Sequence, residues 1–504
     1  MIVLAAPMQA QQPASDDVGV MLPVPDDQST PLEAKSNPHQ PSQTDNIADS
    51  ISVPADDGAP TTTELLLATK PRRFSSSKSP STSRTADRPG YVGHVGRYID
   101  DGRDWSWLDF GIEQRTRFEL RDDFFRADQR TDDRFLMRTR GFLGVRKILD
   151  PLRFGFEFQD SRRLGSELIE NTGDIDQSEL LQAFGELYFE DALGDGQPLS
   201  FRFGRMSFDA VDRRLFSRNG FRNTTNAFDG FRFRVGDAQS PWELDVFGFQ
   251  PVARRERKFD HGDEERWLYG VNGYWRGWSP HVTLEPYYFI LDEDRDGRDT
   301  MDREIHTMGL HGFGLISDTG FDYDFNVAFQ FGDTERGRHR AFATHAELGY
   351  TFDHKWKPRL AAMFNYASGD DDPTDRLDQR FDPLFGSSHE FYGHADVISW
   401  QNMFNPAVFL SLRPDNKLRI DGYYRTFWLA SDKDAFVRAG IADPSGRSGD
   451  FVGHELDLRV RYKFDDHFNL HVGYAYFIPG DFVQRAANNS DDSDFFYVQF
   501  TSTF

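Results

Sequence analysis

The sequence predicts an all-β protein: a transmembrane antiparallel β-barrel of about 18 strands, preceded by a disordered N-terminal extension. Three observations predict it. Apolar and polar residues alternate strictly in segment after segment from Trp105 onward. The links between these segments are alternately short and long. Aromatic residues make up 15% of the 504 residues, although hydrophobic residues are only 38% and charged residues 28%.

These numbers exclude the alternatives. A disordered chain is poor in aromatics. A helical membrane protein needs apolar runs of about 18 residues or more, and none is present. A buried parallel sheet needs Val/Ile/Leu-rich runs, which are scarce. A barrel wall turns every second residue to lipid and the others to water, so low apolar content carried by 48 Phe fits it. The net charge of −24 argues against nucleic acid as a partner, because phosphate binding needs a basic footprint. The absence of cysteine removes disulfides, thiolate metal sites and cysteine nucleophiles.

At the N-terminus, Met1–Ala10 reads as the remnant of a secretory signal without its basic start, or as an ordinary terminus. Residues 11–98 are rich in Pro, Ser, Asp, Gln and Thr and hold no period, as in a disordered linker. The expected organisation is therefore residues 1–98 as signal remnant and linker, and 99–504 as barrel.

The barrel segments are explicit. Leu152-Arg-Phe-Gly-Phe-Glu-Phe158, Phe321-Asp-Tyr-Asp-Phe-Asn-Val-Ala-Phe329 and His454-Glu-Leu-Asp-Leu-Arg-Val-Arg-Tyr462 each put apolar residues on one face and charges on the other. Expected strand centres are residues 113, 140, 156, 185, 202, 232, 246, 271, 287, 311, 326, 347, 363, 407, 424, 458, 473 and 499. Short links fall near 148–151, 236–241, 276–280, 317–320, 353–357, 413–416 and 465–467. Long ones fall near 163–178, 206–226, 252–265, 292–303, 369–400, 431–452 and 478–493; the link near 190–198 is intermediate. Sorting short turns to one end, the periplasmic one, is a property of outer-membrane barrels. The last strand runs to Phe504, with Phe496, Val498, Phe500 and Phe504 on one face, like the recognition signal of such proteins. Tyr269, Tyr287, Tyr350, Tyr462, Tyr474 and Trp428 suit aromatic girdles, or simple strand propensity.

Arg134, Arg138, Arg140 and Arg146 share parity opposite Phe135, Met137, Leu143 and Val145. Arginine facing lipid costs about 2–4 kcal/mol at the midplane, so these side chains are expected in the lumen. Arg153, Arg202, Arg232 and Arg234 extend the wall. Guanidinium groups so placed can form an anion path, or a salt-bridge ladder with Glu157, Glu186, Asp322, Asp324, Glu455 and Asp457.

Several motifs resemble the alginate export family of outer-membrane barrels. They are Phe203-Gly-Arg-Met206, Asp212-Arg-Arg214, Arg222-Asn-Thr224 and Phe228-Asp-Gly-Phe-Arg232. Tyr366-Ala-Ser-Gly-Asp370, Phe381-Asp-Pro-Leu-Phe385 and His389-Glu-Phe-Tyr-Gly393 continue the series, and Gly453-His-Glu-Leu-Asp-Leu458 with Gly473-Tyr-Ala-Tyr-Phe477 complete it over about residues 100–504. The resemblance implies an arginine-rich lumen passing a uronate polysaccharide outward. It adds Arg205, Asp229, Arg459 and Arg461 to the substrate path. It also implies a long periplasmic turn near the C-terminal hairpins that plugs the pore. Here that turn, Asp465-Asp-His467, is short, so a plug must be an outer loop or be absent.

The expected function is an outer-membrane channel for an anionic saccharide. A general porin for small anions and a blocked structural or adhesion barrel stand as alternatives. Outer-membrane lipid and lipopolysaccharide surround it, and a periplasmic export partner would deliver polymer. Asp292, Asp294 and Asp296 match the start of a calcium loop, but Arg303 stands where the closing Glu belongs. No other cofactor is expected. No G-x-S-x-G or H-E-x-x-H motif is present, and an enzyme is not expected.

Overall fold

The computed structural model describes residues 77–79, 88–97, 103–123, 131–194, 196–295, 301–487 and 491–504. Among these, 18 long strands form one closed antiparallel barrel. In chain order they are β1 (Leu108–Asp122), β2 (Asp132–Val145), β3 (Leu152–Gly165), β4 (Asp176–Phe189), β5 (Leu199–Met206) and β6 (Phe228–Val235). Then come β7 (Trp242–Ala253), β8 (Arg266–Trp275), β9 (Thr283–Glu293), β10 (Arg303–Leu315), β11 (Phe321–Thr334) and β12 (Gly337–Thr351). The last are β13 (Arg359–Ala367), β14 (Met403–Leu412), β15 (Leu418–Trp428), β16 (Phe451–Lys463), β17 (Phe468–Pro479) and β18 (Ser493–Thr503). Every expected strand centre falls inside its strand. Pairing of Glu113 with Thr503 and of Asp122 with Asp494 joins β1 to β18 and closes the ring. Closure leaves no unpaired sheet edge, which a lipid-facing wall requires.

Strand parity separates the two faces. On β2, Phe135 and Leu143 are exposed on the outside, while Arg134, Arg138 and Arg140 are buried inside. Phe154, Phe156 and Phe158 do the same for β3, with Glu157 and Gln159 inside. Phe496, Val498 and Phe500 lie outside on β18, opposite buried Phe495, Tyr497 and Gln499. No described helix is long and apolar enough to cross a membrane; the strands do the crossing.

Links sort by length as expected, with one exception. The outer link between β11 and β12 is only Glu335-Arg336, and Gly337 there takes φ +137°. Those two strands are correspondingly long. Tyr287 also departs from expectation: it is an interior residue, buried, with its hydroxyl donating to Asn326 Oδ1 at 2.7 Å. Its odd position on β9 shares parity with Glu285 and Phe289, so it cannot reach the lipid girdle.

Candidate functional site

Two long outer links do not stay outside. Residues 207–227, between β5 and β6, and 368–402, between β13 and β14, fold into the barrel, and 207–227 and 381–402 are almost wholly buried. Apolar side chains drive this. Phe208 and Phe216 pack against each other (ring centroids 4.8 Å apart), and Phe216 stacks on inward-facing Phe228 at 4.5 Å. Phe247, Phe249 and Phe289 of the wall belong to the same cluster, as do Phe385, Tyr392 and Trp400 of the second link. The centre of the barrel is thus an apolar core, not an open water column.

The two links bond to each other through the backbone. Ser217 N donates to Phe385 O at 3.0 Å, Phe385 N to Leu215 O at 3.0 Å and Ser387 N to Arg213 O at 2.8 Å.

The wall meets the first link with guanidinium groups. Arg115 donates to Gly220 O at 2.7 Å and Arg222 O at 2.9 Å; Arg117 donates to Phe221 O at 2.7 Å. Arg138 donates to Gly220 O at 2.8 Å and also holds Glu113 at 2.9 Å. Arg140 reaches Gln159 Oε1 at 3.1 Å and the Thr225 hydroxyl. Asn223 fixes the link further, donating to Asp174 O at 2.8 Å and to Met137 O and Arg162 O at 3.1 Å. The second link repeats the device: Arg425 donates to Glu390 O at 2.7 Å and Phe391 O at 2.9 Å.

The other expected path residues have carboxylate partners. Arg134 lies between Glu119 (2.6 Å) and Asp174 (2.7 Å). Arg202 pairs with Glu186 at 3.0 Å, Arg232 with Asp245 and Arg234 with Glu243 at 2.8 Å. Arg205 bridges Glu179 (2.6 Å) and Asp229 (2.8 Å). Arg459 binds Glu390 and Asp421, and Arg461 binds Asp421 at 2.6 Å. Arg146 sits just past β2 against Asp109 at 2.9 Å, and Arg153 lies over the Tyr188 ring beside Asp150. Asp292 projects from the outer face of β9, and Asp296 lies outside the described residues.

Sequence reasoning missed Arg115, Arg117 and Arg425. Arg115 and Arg117 share the inward parity of Glu113 on β1, a signal that was available.

Part of the N-terminal extension occupies the short-turn mouth. Ser77 Oγ donates to Asp322 Oδ1 at 2.8 Å and Ser79 Oγ to Glu347 Oε2 at 2.9 Å, on β11 and β12. The Tyr91 hydroxyl donates to Glu157 Oε1 at 2.5 Å, and Gly93-His94 pairs with Asp109-Phe110 of β1. β11 stands opposite β2 in a ring of this size, so the segment touches two facing walls. A Cβ at Gly111 would lie 2.5 Å from Tyr91 O and 2.9 Å from Val92 Cα. We expect Gly111→Val to release residues 91–94 while the barrel still assembles, which protease cleavage of the extension in the assembled protein would report.

The second link also carries three buried titratable groups, His394, Glu390 and Asp396. Burial pushes His394 down to about 3, against the pull of Asp457. Burial alone would raise Glu390 and Asp396, but Arg459 beside the first and His389 beside the second hold both below the ordinary carboxylate range. Undocked, these groups titrate near their ordinary values of about 6.5 and 4. The undocked link therefore binds more protons, first at His394 and then at the carboxylates. At these three groups docking is favoured above about pH 6.5 and opposed as pH falls. Conductance in planar bilayers should rise between about pH 6.5 and 4, and His394→Gln should move the onset lower.

A closed barrel of this size with lumen-folded loops defines an outer-membrane channel. A sequence model described as alginate export matches residues 106–496, and the chain belongs to that family. No curated protein matches it. Solved structures with the same fold include OccK8 (OprE) of Pseudomonas aeruginosa, 12% identical, covering 79% of this chain and 98% of that one at TM-score 0.57. Acinetobacter baumannii OccAB1 is 11% identical, covering 79% and 96% at TM-score 0.56. The outer membrane protein OprD of Pseudomonas aeruginosa is 12% identical, covering 79% and 93% at TM-score 0.53. The chain is placed in the bacterial outer membrane.

Proposed function

We propose that this protein is a gated outer-membrane channel for an anionic, uronate-type saccharide, with the inward-folded links as the gate. The observation that carries this is the set of backbone carbonyls at Gly220, Phe221 and Arg222 held by Arg115, Arg117 and Arg138. Carbonyl oxygens stand there in place of the carboxylate oxygens of a uronate. Displacing the link exchanges neutral acceptors for charged ones, which the guanidinium fork can bind in paired, bidentate bonds. Glu113 and Glu119 between the arginines keep the wall from being purely basic, and passage needs binding weak enough to release. A periplasmic partner would present polymer at the short-turn mouth, where the N-terminal segment lies. No covalent chemistry is part of this reading.

Vesicles carrying the purified protein test it. Oligouronates should leave loaded vesicles faster than neutral oligosaccharides of equal length. Equal rates for both would favour a general porin, and retention of both a sealed structural barrel.

A further inference from the structure

A second site lies on the outer rim, where Arg205 of the wall reaches Glu179. Asp176 and Glu179 are three residues apart on β4, a spacing that regular alternation would put on opposite faces. A register irregularity against β3, with Ser178 at φ 62°, brings both inside. Asp260, from the link between β7 and β8, joins them. One carboxylate oxygen from each of the three lies within 4.8 Å of the other two, and all three residues are buried.

The arrangement is incompletely satisfied. Glu179 accepts from Arg205 at 2.6 Å and from Asp260 N at 2.9 Å, and Asp260 accepts from Arg255 N at 2.6 Å. Asp176, only 1% exposed, has a buried Oδ1 with no hydrogen-bond partner. A buried carboxylate oxygen without a partner is destabilising, because it has lost its water and gained nothing in return. Arg222 and Arg254 nearby both donate to Asn226 Oδ1.

We propose that Asp176, Glu179 and Asp260 bind a divalent cation of the calcium class, which pins the 254–265 link to the start of β4. All donors are hard carboxylate oxygens, the set Ca²⁺ takes, and Ca²⁺–oxygen distances of about 2.4 Å put opposed ligands about 4.8 Å apart. Water fills the remaining coordination positions. The proposal concerns a cation and does not rest on the saccharide reading, although Glu179 also holds Arg205.

Calcium titration calorimetry on the full-length protein in detergent tests this, with hydrogen exchange of residues 254–265 in Ca²⁺ against EDTA. The wild type should show one site well tighter than the background of surface acids, and Ca²⁺ should slow exchange in that link. Asp176→Asn, isosteric and at a side chain whose buried oxygen has no partner to lose, should weaken the site by about tenfold or more and abolish the slowing. Asp260→Asn should do the same, whereas Asp292→Asn with Asp294→Asn should leave both readouts unchanged. The proposal is overturned if the wild type has no such site, if Asp176→Asn binds as the wild type does, or if the 292/294 pair removes the binding.

Discussion

Replacing Asp209–Thr225 by a short Gly/Ser connection should raise single-channel conductance by about tenfold or more, because an 18-stranded barrel without a plug encloses an aqueous channel. The segment is buried almost throughout, and its Phe216 is central to the apolar cluster inside the barrel. Its removal also deprives the second link of the backbone bonds at Leu215, Ser217 and Arg213. The wall does not depend on it: each strand bonds both neighbours around the ring, β1 to β18 included. Assembly should therefore survive, as heat-modified mobility on a gel would show. Unchanged conductance in an assembled variant would mean that another element blocks the lumen.

The largest loss of stability from a single substitution should come from Arg138→Ala. Arg138 is fully buried and ties Glu113 on β1 to Gly220 O in the link. Its loss takes from Glu113 its 2.9 Å partner and leaves it Arg140 at 3.7 Å together with Arg115. Breaking a buried ion pair from one side costs about 3–5 kcal/mol, because the remaining charge is left in a poor environment. Denaturant unfolding would measure it. Adding Glu113→Ala should recover much of that stability, since removing both charges is far cheaper than removing one. The double variant should still open more often than the wild type, because the bond to Gly220 is not restored. The cycle thus separates the wall's ion pair from the gate's latch.

The wall was legible in the sequence because a strand's period of two is a local property. Charges at Arg134, Arg138 and Arg140 cannot face lipid, so parity alone fixed their side. What those arginines hold was not legible, because partners such as Gly220 O lie about eighty residues away and are backbone atoms with no sequence signature. A signal did exist in composition. Phe208, Leu215, Phe216 and Phe221 in one link, and Phe381, Phe385, Tyr392 and Trp400 in the other, are too apolar for links exposed to water. The motifs around Arg222 and His389 likewise sit where the links dock. The acidic triad was invisible for another reason: it depends on an irregularity in β4 and on a residue from a distant link.

The reversal potential of the link-trimmed barrel in a KCl gradient tests the central claim most directly. Uncovered Arg115, Arg117 and Arg138 should make it anion-selective, with that preference lost when Arg115 and Arg117 become Gln. Cation selectivity of the trimmed barrel with its arginines intact would contradict the account.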